Sequence, residues 1–222
     1  MSINIAIDGP AGAGKSTIAK KVAEKLSFIY VDTGAMYRAI ALYILHKGVD
    51  VKDETAVTGL CSTVNVGITY ENGEQRVLLN EEDVSGLIRS EEVGNAASAV
   101  AVYSAVRAKL LELQQSLAKA QNVVMDGRDI GSAVLPGAQV KIYLTASVHT
   151  RAKRRYNELV KKGVSPDIQV IEQDIVDRDY QDMHREISPL CQAKDAVLVD
   201  SSQLSIDEVV DRILKIYKER CC

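Results

Sequence analysis

What this chain has little of narrows its identity first. Cys61, Cys191, Cys221 and Cys222 are too few and too scattered for a disulfide framework, and no histidine stands near them at zinc-ligand spacing. Reduced, structural or incidental thiols are expected. The Cys221-Cys222 pair is reached through an amphipathic helix with no flexible tail, so it does not read as a lipid anchor. His46, His149 and His184 are isolated from one another and read as surface or core residues rather than ligands. The sequence shows no Ser-His-Asp or Cys-His set for nucleophilic catalysis. No Asn is followed by Lys, which excludes the guanine-reading loop of a GTPase switch. No apolar stretch is long enough to span a bilayer, and Met-Ser-Ile-Asn runs straight into a strand rather than into a signal peptide; a cytoplasmic location is expected. A net charge of -3 supplies no global field for nucleic acid or an anionic membrane, so any phosphate-binding surface must be local. Repeats and low-complexity segments are missing too.

What is present is ordinary in bulk and specific in pattern. With 222 residues, 46% of them hydrophobic, the chain has material for one well-buried domain with appendages. Ile3 to Asp8 is a short apolar run ending in a Gly-rich turn, and Lys15 to Leu26 has helical spacing at Ile18, Val22, Ala23 and Leu26. Phe28 to Val31 predicts a second strand, with Asp32-Thr33-Gly34 capping the next helix. Two β-rich runs between Asn65 and Asn80 flank Glu71-Asn72-Gly73-Glu74, and Asn-Gly in that setting predicts a hairpin. Helices are expected at about 90–102 and 103–119. Further strands are expected at 123–126, 140–144 and 196–199, and further helices at about 148–162, 167–184 and 205–219. Strands alternating with helices predict an α/β fold with a five-stranded parallel sheet, an inserted hairpin lobe and a helical lid. Ligands then belong outside the carboxyl ends of the strands.

Gly9-Pro10-Ala11-Gly12-Ala13-Gly14-Lys15-Ser16 completes the G-x-x-x-x-G-K-[ST] pattern between a strand and a helix, and Thr17 follows it. Backbone N–H groups in such a P-loop curl around the β-phosphate of ATP, Lys15 neutralises β/γ charge, and the Ser16 hydroxyl reaches Mg²⁺. Asp126, at the end of an apolar strand, is the expected partner that holds the magnesium directly or through water. Asp8 is ambiguous between such a role and that of a turn former.

A kinase also needs a second anion site facing the γ-phosphate. Arg38 lies one turn into the helix beginning at Thr33, where helix end and guanidinium can grip one phosphate together. Arg128 and Asp129 follow a strand at the carboxyl edge of the sheet. Arg107 by itself reads as a solvated helix face. Arg151, Lys153, Arg154 and Arg155 place four positive charges in five residues, and three of these share a helical face where like charges repel unless an anion arrives. Arg178, Asp182 and Arg185 share another face, two donors and one acceptor, suited to a sugar phosphate. Together these clusters read as a lid that delivers arginines and excludes water.

The segments IDGPAGAGKST (7–17), DTGAMYR (32–38), DVSGLIRSEEVGNAAS (83–98), DGRDIG (126–131), RAKRR (151–155) and RDYQDMHREISPL (178–190) resemble the bacterial-type cytidylate kinases over nearly the whole chain. The P-loop is shared with many kinases; DTGAMYR, the insert ending in EVGNAAS, and GRDIG are far more specific. The resemblance implies one P-loop kinase domain over 1–222, with a nucleoside-monophosphate-binding part at 33–102 that includes an insert at 63–102, a lid at 148–166, and the remainder as core. It implies transfer of the ATP γ-phosphate to CMP or dCMP, with UMP poorer. A monomer that works with Mg²⁺ on small nucleotides, with neither nucleic acid nor membrane as partner, is expected. It implies that Ser98, Arg107 and Asp129 face cytosine, that Arg38, Arg128 and Arg185 face the acceptor phosphate, that Arg178 and Asp182 face the sugar, and that Arg154 and Arg155 belong to the lid. Thr33 stands where some members have Ser, which keeps the hydroxyl.

Overall fold

β1 (Asn4–Asp8) is the centre of the molecule in the computed structural model, which describes residues 2–221; Met1 and Cys222, and the sequence readings that fall on them, lie outside it. Five parallel strands lie in the order β2-β6-β1-β7-β8, where β2 is Ile29–Asp32, β6 Val123–Gly127, β7 Val140–Thr145 and β8 Val197–Asp200. Alternate side chains of β1 enter two cores, because successive strand residues point to opposite faces. Ile5 and Ile7 pack with Ile18 and Val22 of α1 (Lys15–Leu26) and Ile213 of α8 (Ile206–Cys221). Ala6 faces the other way, into the cluster of Met36, Ile40 and Ile44 from α2 (Thr33–His46), Val100 from α4 (Glu91–Val100) and Leu110 from α5 (Ser104–Ala120). Both faces are thus covered, as an all-parallel sheet requires.

The inserted lobe is a three-stranded antiparallel sheet of β3 (Val66–Glu71), β4 (Glu74–Leu79) and β5 (Glu82–Asp83). Asn72 and Gly73 turn it with φ of 52° and 78°, the doubly left-handed geometry that Asn-Gly supplies at least cost. The lobe docks by polar side chains on the outer edge of β2. The Tyr70 hydroxyl donates to the Tyr30 carbonyl at 3.0 Å, while the Gln75 amide accepts from Asp32 N at 2.8 Å and donates to Asp32 O at 3.2 Å. An edge strand that would otherwise present bare backbone groups is satisfied in this way.

Two features differ from the sequence expectation. α3 (Glu54–Cys61) is an additional helix whose N-cap, Asp53, accepts from Ala56 N at 3.0 Å. Its Thr and Gly59 are poor helix formers, and only Val57 and Cys61 are buried, so its periodicity is faint. The lobe also gains β5, too short to show a pattern. α6 (Val148–Lys161), which spans most of the segment expected as the lid at 148–166, and α7 (Ile168–His184) share a small core of Ala152, Ile171 and Ile175. No helix among the described residues is long and apolar enough to cross a membrane.

Candidate active site

The segments after β1, β2, β6 and β8 meet at one end of the sheet around a cleft of about 820 Å³. The P-loop forms its floor from Ala11 to Thr17, whereas Gly9 and Pro10 do not line it. Gly9 works behind the loop: a Cβ there would stand 1.9 Å from the Leu144 carbonyl oxygen of β7, so only glycine lets the chain leave β1 at this angle. Pro10 gives its carbonyl to Lys15 Nζ at 2.8 Å. Burial above all, and then the nearby Arg128 guanidinium, push the Lys15 ammonium down to about 7, an environment that a bound polyphosphate would reverse.

Ser16 Oγ donates to Asp126 Oδ2 at 3.0 Å and Tyr30 Oη to Asp126 Oδ1 at 2.8 Å, so both oxygens of this buried carboxylate at the cleft wall are held. Thr33 Oγ1 donates to the Asp126 carbonyl at 2.7 Å. Burial, followed by the Asp32 charge, raises the Asp126 carboxyl to about 6. The donor set fits magnesium: oxygen ligands from one hydroxyl and one carboxylate beside a phosphate cradle, with no cluster of three His, Cys, Asp or Glu ligands among the described residues. Mg²⁺ keeps most of its waters and takes the rest of its shell from phosphate, so it needs no more from the protein.

Asp8, left open by the sequence, accepts from Ile130 N and Gly131 N at 2.7 Å each. Burial outweighs these bonds and lifts its carboxyl to about 6. It pins the segment after β6, which turns through Ile130–Val134, and so it aims Arg128 and Asp129.

Around the rest of the cleft, guanidinium groups and carboxylates hold one another. Arg107 of α5 is 9% exposed and makes a short charge-assisted hydrogen bond to Asp129, whose other oxygen lies 3.4 Å from Arg185 Nη2. Read alone, Arg107 suggested a solvated face; tertiary structure buries it against a carboxylate 22 residues away in sequence. Arg128 Nε donates to Asp182 at 2.7 Å. Arg178 bonds Asn95 of α4, and Ser98 Oγ donates to Gln181 Oε1 at 3.4 Å. Arg38 donates to the carbonyls of Ile88 and Ser90 at 3.0 and 3.2 Å, and burial lowers its pKa. Arg38, Ser98, Arg107, Arg128, Asp129, Arg178, Asp182 and Arg185 all line the cleft that holds the P-loop.

The basic run of α6 differs from the sequence expectation of mutually repelling charges awaiting an anion. Arg151 is buried against Asp179 at 2.6 Å. Arg154 lines the cleft and donates to the Ala13 and Ser201 carbonyls at 3.3 and 2.8 Å. Arg155 does not line it and pairs with Glu158 at 3.6 Å. Each guanidinium already has its own acceptor, so repulsion is relieved within the protein. The pairings of Tyr30 with Asp126 and of Arg151 with Asp179 carried no sequence signal, because the partners lie 96 and 28 residues apart.

The cytidylate kinase family profile matches residues 5–219, which take in every residue of this cleft. This chain belongs to the cytidylate kinase family. Among cytidylate kinases it is 52% identical over 217 residues to that of Bacillus licheniformis, covering 97% of this chain and 96% of the relative. It is 49% identical over 218 residues to that of Ligilactobacillus salivarius, covering 98% and 97%. Solved structures support the fold alone. An uncharacterized protein from Eubacterium ventriosum superposes with a TM-score of 0.56 at 14% identity over 99% of this chain and 100% of the other. A gluconokinase from Sinorhizobium meliloti superposes at 0.50 and 15% identity, covering 98% and 92%.

Proposed function

We infer that this cytidylate kinase family member moves the γ-phosphate of ATP to CMP or dCMP, giving ADP and CDP or dCDP. The observation that carries the reading is one cleft holding two different anion sites. A complete P-loop suits the donor, and a set of buried and half-buried arginines braced by Asp129 and Asp182 suits a phosphate, a sugar and a base. A nucleotide switch needs only the first site.

The roles follow from position and charge. Gly9 to Thr17 take the donor phosphates, with Lys15 restored to full charge by the polyanion it meets. Arg38, Arg128 and Arg185 receive the acceptor phosphate, with Thr33 at the helix end nearby; Arg178 and Asp182 receive the sugar. Ser98, Arg107 and Asp129 read the base. We assign 33–102 to the acceptor-binding part and 148–166 to the lid, where Arg154 is the arginine placed at the P-loop; Arg155 becomes part of the transfer site only if closure turns it inward.

The acceptor phosphate needs no general base, since its second pKa is near ~6 and its oxygens are already nucleophilic at neutral pH. One of them forms the new bond to the γ-phosphorus as the bond to the bridging β–γ oxygen breaks, and ADP leaves with that electron pair. Ser16 and Asp126 would hold Mg²⁺, which supplies charge neutralisation across the β- and γ-phosphates. The chain's own part is alignment of the two phosphates and fixed positive charge around them. Asp129 accepts from the cytosine amino group; uracil presents a carbonyl there and leaves the carboxylate facing another acceptor.

The test is an acceptor panel. ADP release with CMP, dCMP, UMP, AMP and shikimate is expected to be fastest with the two cytidine nucleotides. A higher rate with AMP than with CMP rules out the cytosine reading.

A further inference from the structure

Arg151 closes the first turn of α6 and is 4% exposed, a burial that no solvated basic face produces. Its fork is divided three ways. Nε donates to the Ala146 carbonyl at 2.9 Å, Nη1 to the Ala11 carbonyl of the P-loop at 2.9 Å, and Nη2 to Asp179 Oδ2 at 2.6 Å. Asp179 lies on α7 between Arg178 and Asp182, and its Oδ1 is buried with no hydrogen-bond partner. A buried carboxylate so dependent on one guanidinium is costly to separate from it, so α7 and the Arg151 head group move together.

The other end of this connection is set by peptide geometry. The Ala11 C=O and the Gly12 N–H belong to one planar trans unit and point in opposite directions. When Arg151 holds that carbonyl behind the loop, the Gly12 N–H is aimed away from Arg151, and Gly12 lines the cleft. A phosphate that grips this N–H therefore fixes the carbonyl on Arg151, and Arg151 in turn fixes Asp179.

We propose that the Arg151–Asp179 pair is a positioning link that couples polyphosphate in the P-loop to the pose of α7, so that donor and acceptor nucleotides each tighten the binding of the other. The inference rests on the assignment of Arg178 and Asp182 to the acceptor. Neither Arg151 nor Asp179 touches a nucleotide in this scheme.

Calorimetric titration tests it: CMP affinity is measured alone and with a saturating non-hydrolysable ATP analogue, and the analogue's affinity is measured with and without CMP. The native chain should show the same factor both ways, on the order of fivefold or more, because coupling between two sites is reciprocal. In D179N the factor should fall toward one. R151K should do the same, since its single ammonium cannot span Ala11 and Asp179 as the fork does. The double variant R151M/D179L removes both charges at once and avoids stranding either one in the core. A pair that only stabilised the fold would lower the melting temperature and leave the coupling factor intact. The proposal is overturned by a native factor of one, or by a native-like factor in any of these variants that folds. Either result with CMP turnover intact overturns the link and leaves the kinase assignment standing, whereas a native chain that fails to phosphorylate CMP defeats both.

Discussion

Asp8 and Asp129 are both buried carboxylates at the carboxyl edge of the sheet, and their partners give them different tasks. Asp8 receives two backbone N–H groups, and burial, which outweighs these bonds and the nearby Lys15 charge, raises its carboxyl to about 6. The unfolded carboxyl releases its proton near pH ~4. The folded chain therefore holds the extra proton between about pH 4 and 6, and stability falls as pH rises through that window, by at most about 3 kcal/mol from this group. Melting temperatures of the native chain and of D8N, compared at pH 4.5 and 7, should show a steeper loss in the native chain; equal loss in both contradicts this account. Asp129 instead faces Arg107 and Arg185. Replacement by Asn should lower the CMP over UMP ratio of kcat/KM by about tenfold or more, because discrimination rests on an unpaired acceptor. An unchanged ratio in a variant of native melting temperature shows that another group reads the base. The place of Asp129 at the carboxyl edge of the sheet was legible in the sequence, but its bracing by two arginines was not, since helix spacing does not reveal which side chains meet across the fold.

At the scale of elements, the hairpin lobe matters through the edge of β2. Its turn could be read from Asn72-Gly73, because the two left-handed residues announce themselves locally. Its docking could not, because Gln75 and Tyr70 are unremarkable polar residues until Asp32 and Tyr30 arrive opposite them. Q75A should lower stability by about 2 kcal/mol, as Asp32 N–H and C=O lose partners in a half-buried place, and the melting temperature should drop by roughly 5 °C. Removing the exposed Glu71–Arg76 pair by E71A is the control and should cost under about 1 kcal/mol. Equal melting of Q75A and the native chain would mean that the lobe is held by other contacts. The same contrast explains the helices. α1 and α8 show strong apolar stripes and were evident, whereas α3, with two buried residues in eight, was hidden until α2 and α5 covered it.

Over the whole molecule, stability is uneven. The two faces of the main sheet rest on large cores, while α6 and α7 rest on a small cluster in which Ala152, Ile171 and Ile175 are buried and Val148, Tyr156, Leu159 and Ile168 are partly so. Local opening should therefore begin in the α6–α7 pair. Hydrogen exchange should be faster in 148–161 and 168–184 than in β1 and β6, and ATP analogue plus CMP together should slow it most in those two helices. Equal protection of all these elements in the free chain would count against a mobile lid. By itself the sequence determined the alternation of strands and helices, the phosphate loop and the hairpin turn, because each depends on residues within a few positions of one another. Tertiary structure alone decided which arginines face the cleft, which are spent on carbonyls and carboxylates of the protein, and how Asp8, Tyr30 and Arg151 brace the site. Those pairings depend on groups brought together from far along the chain, and charge compensation in a buried place is fixed only when the partners meet.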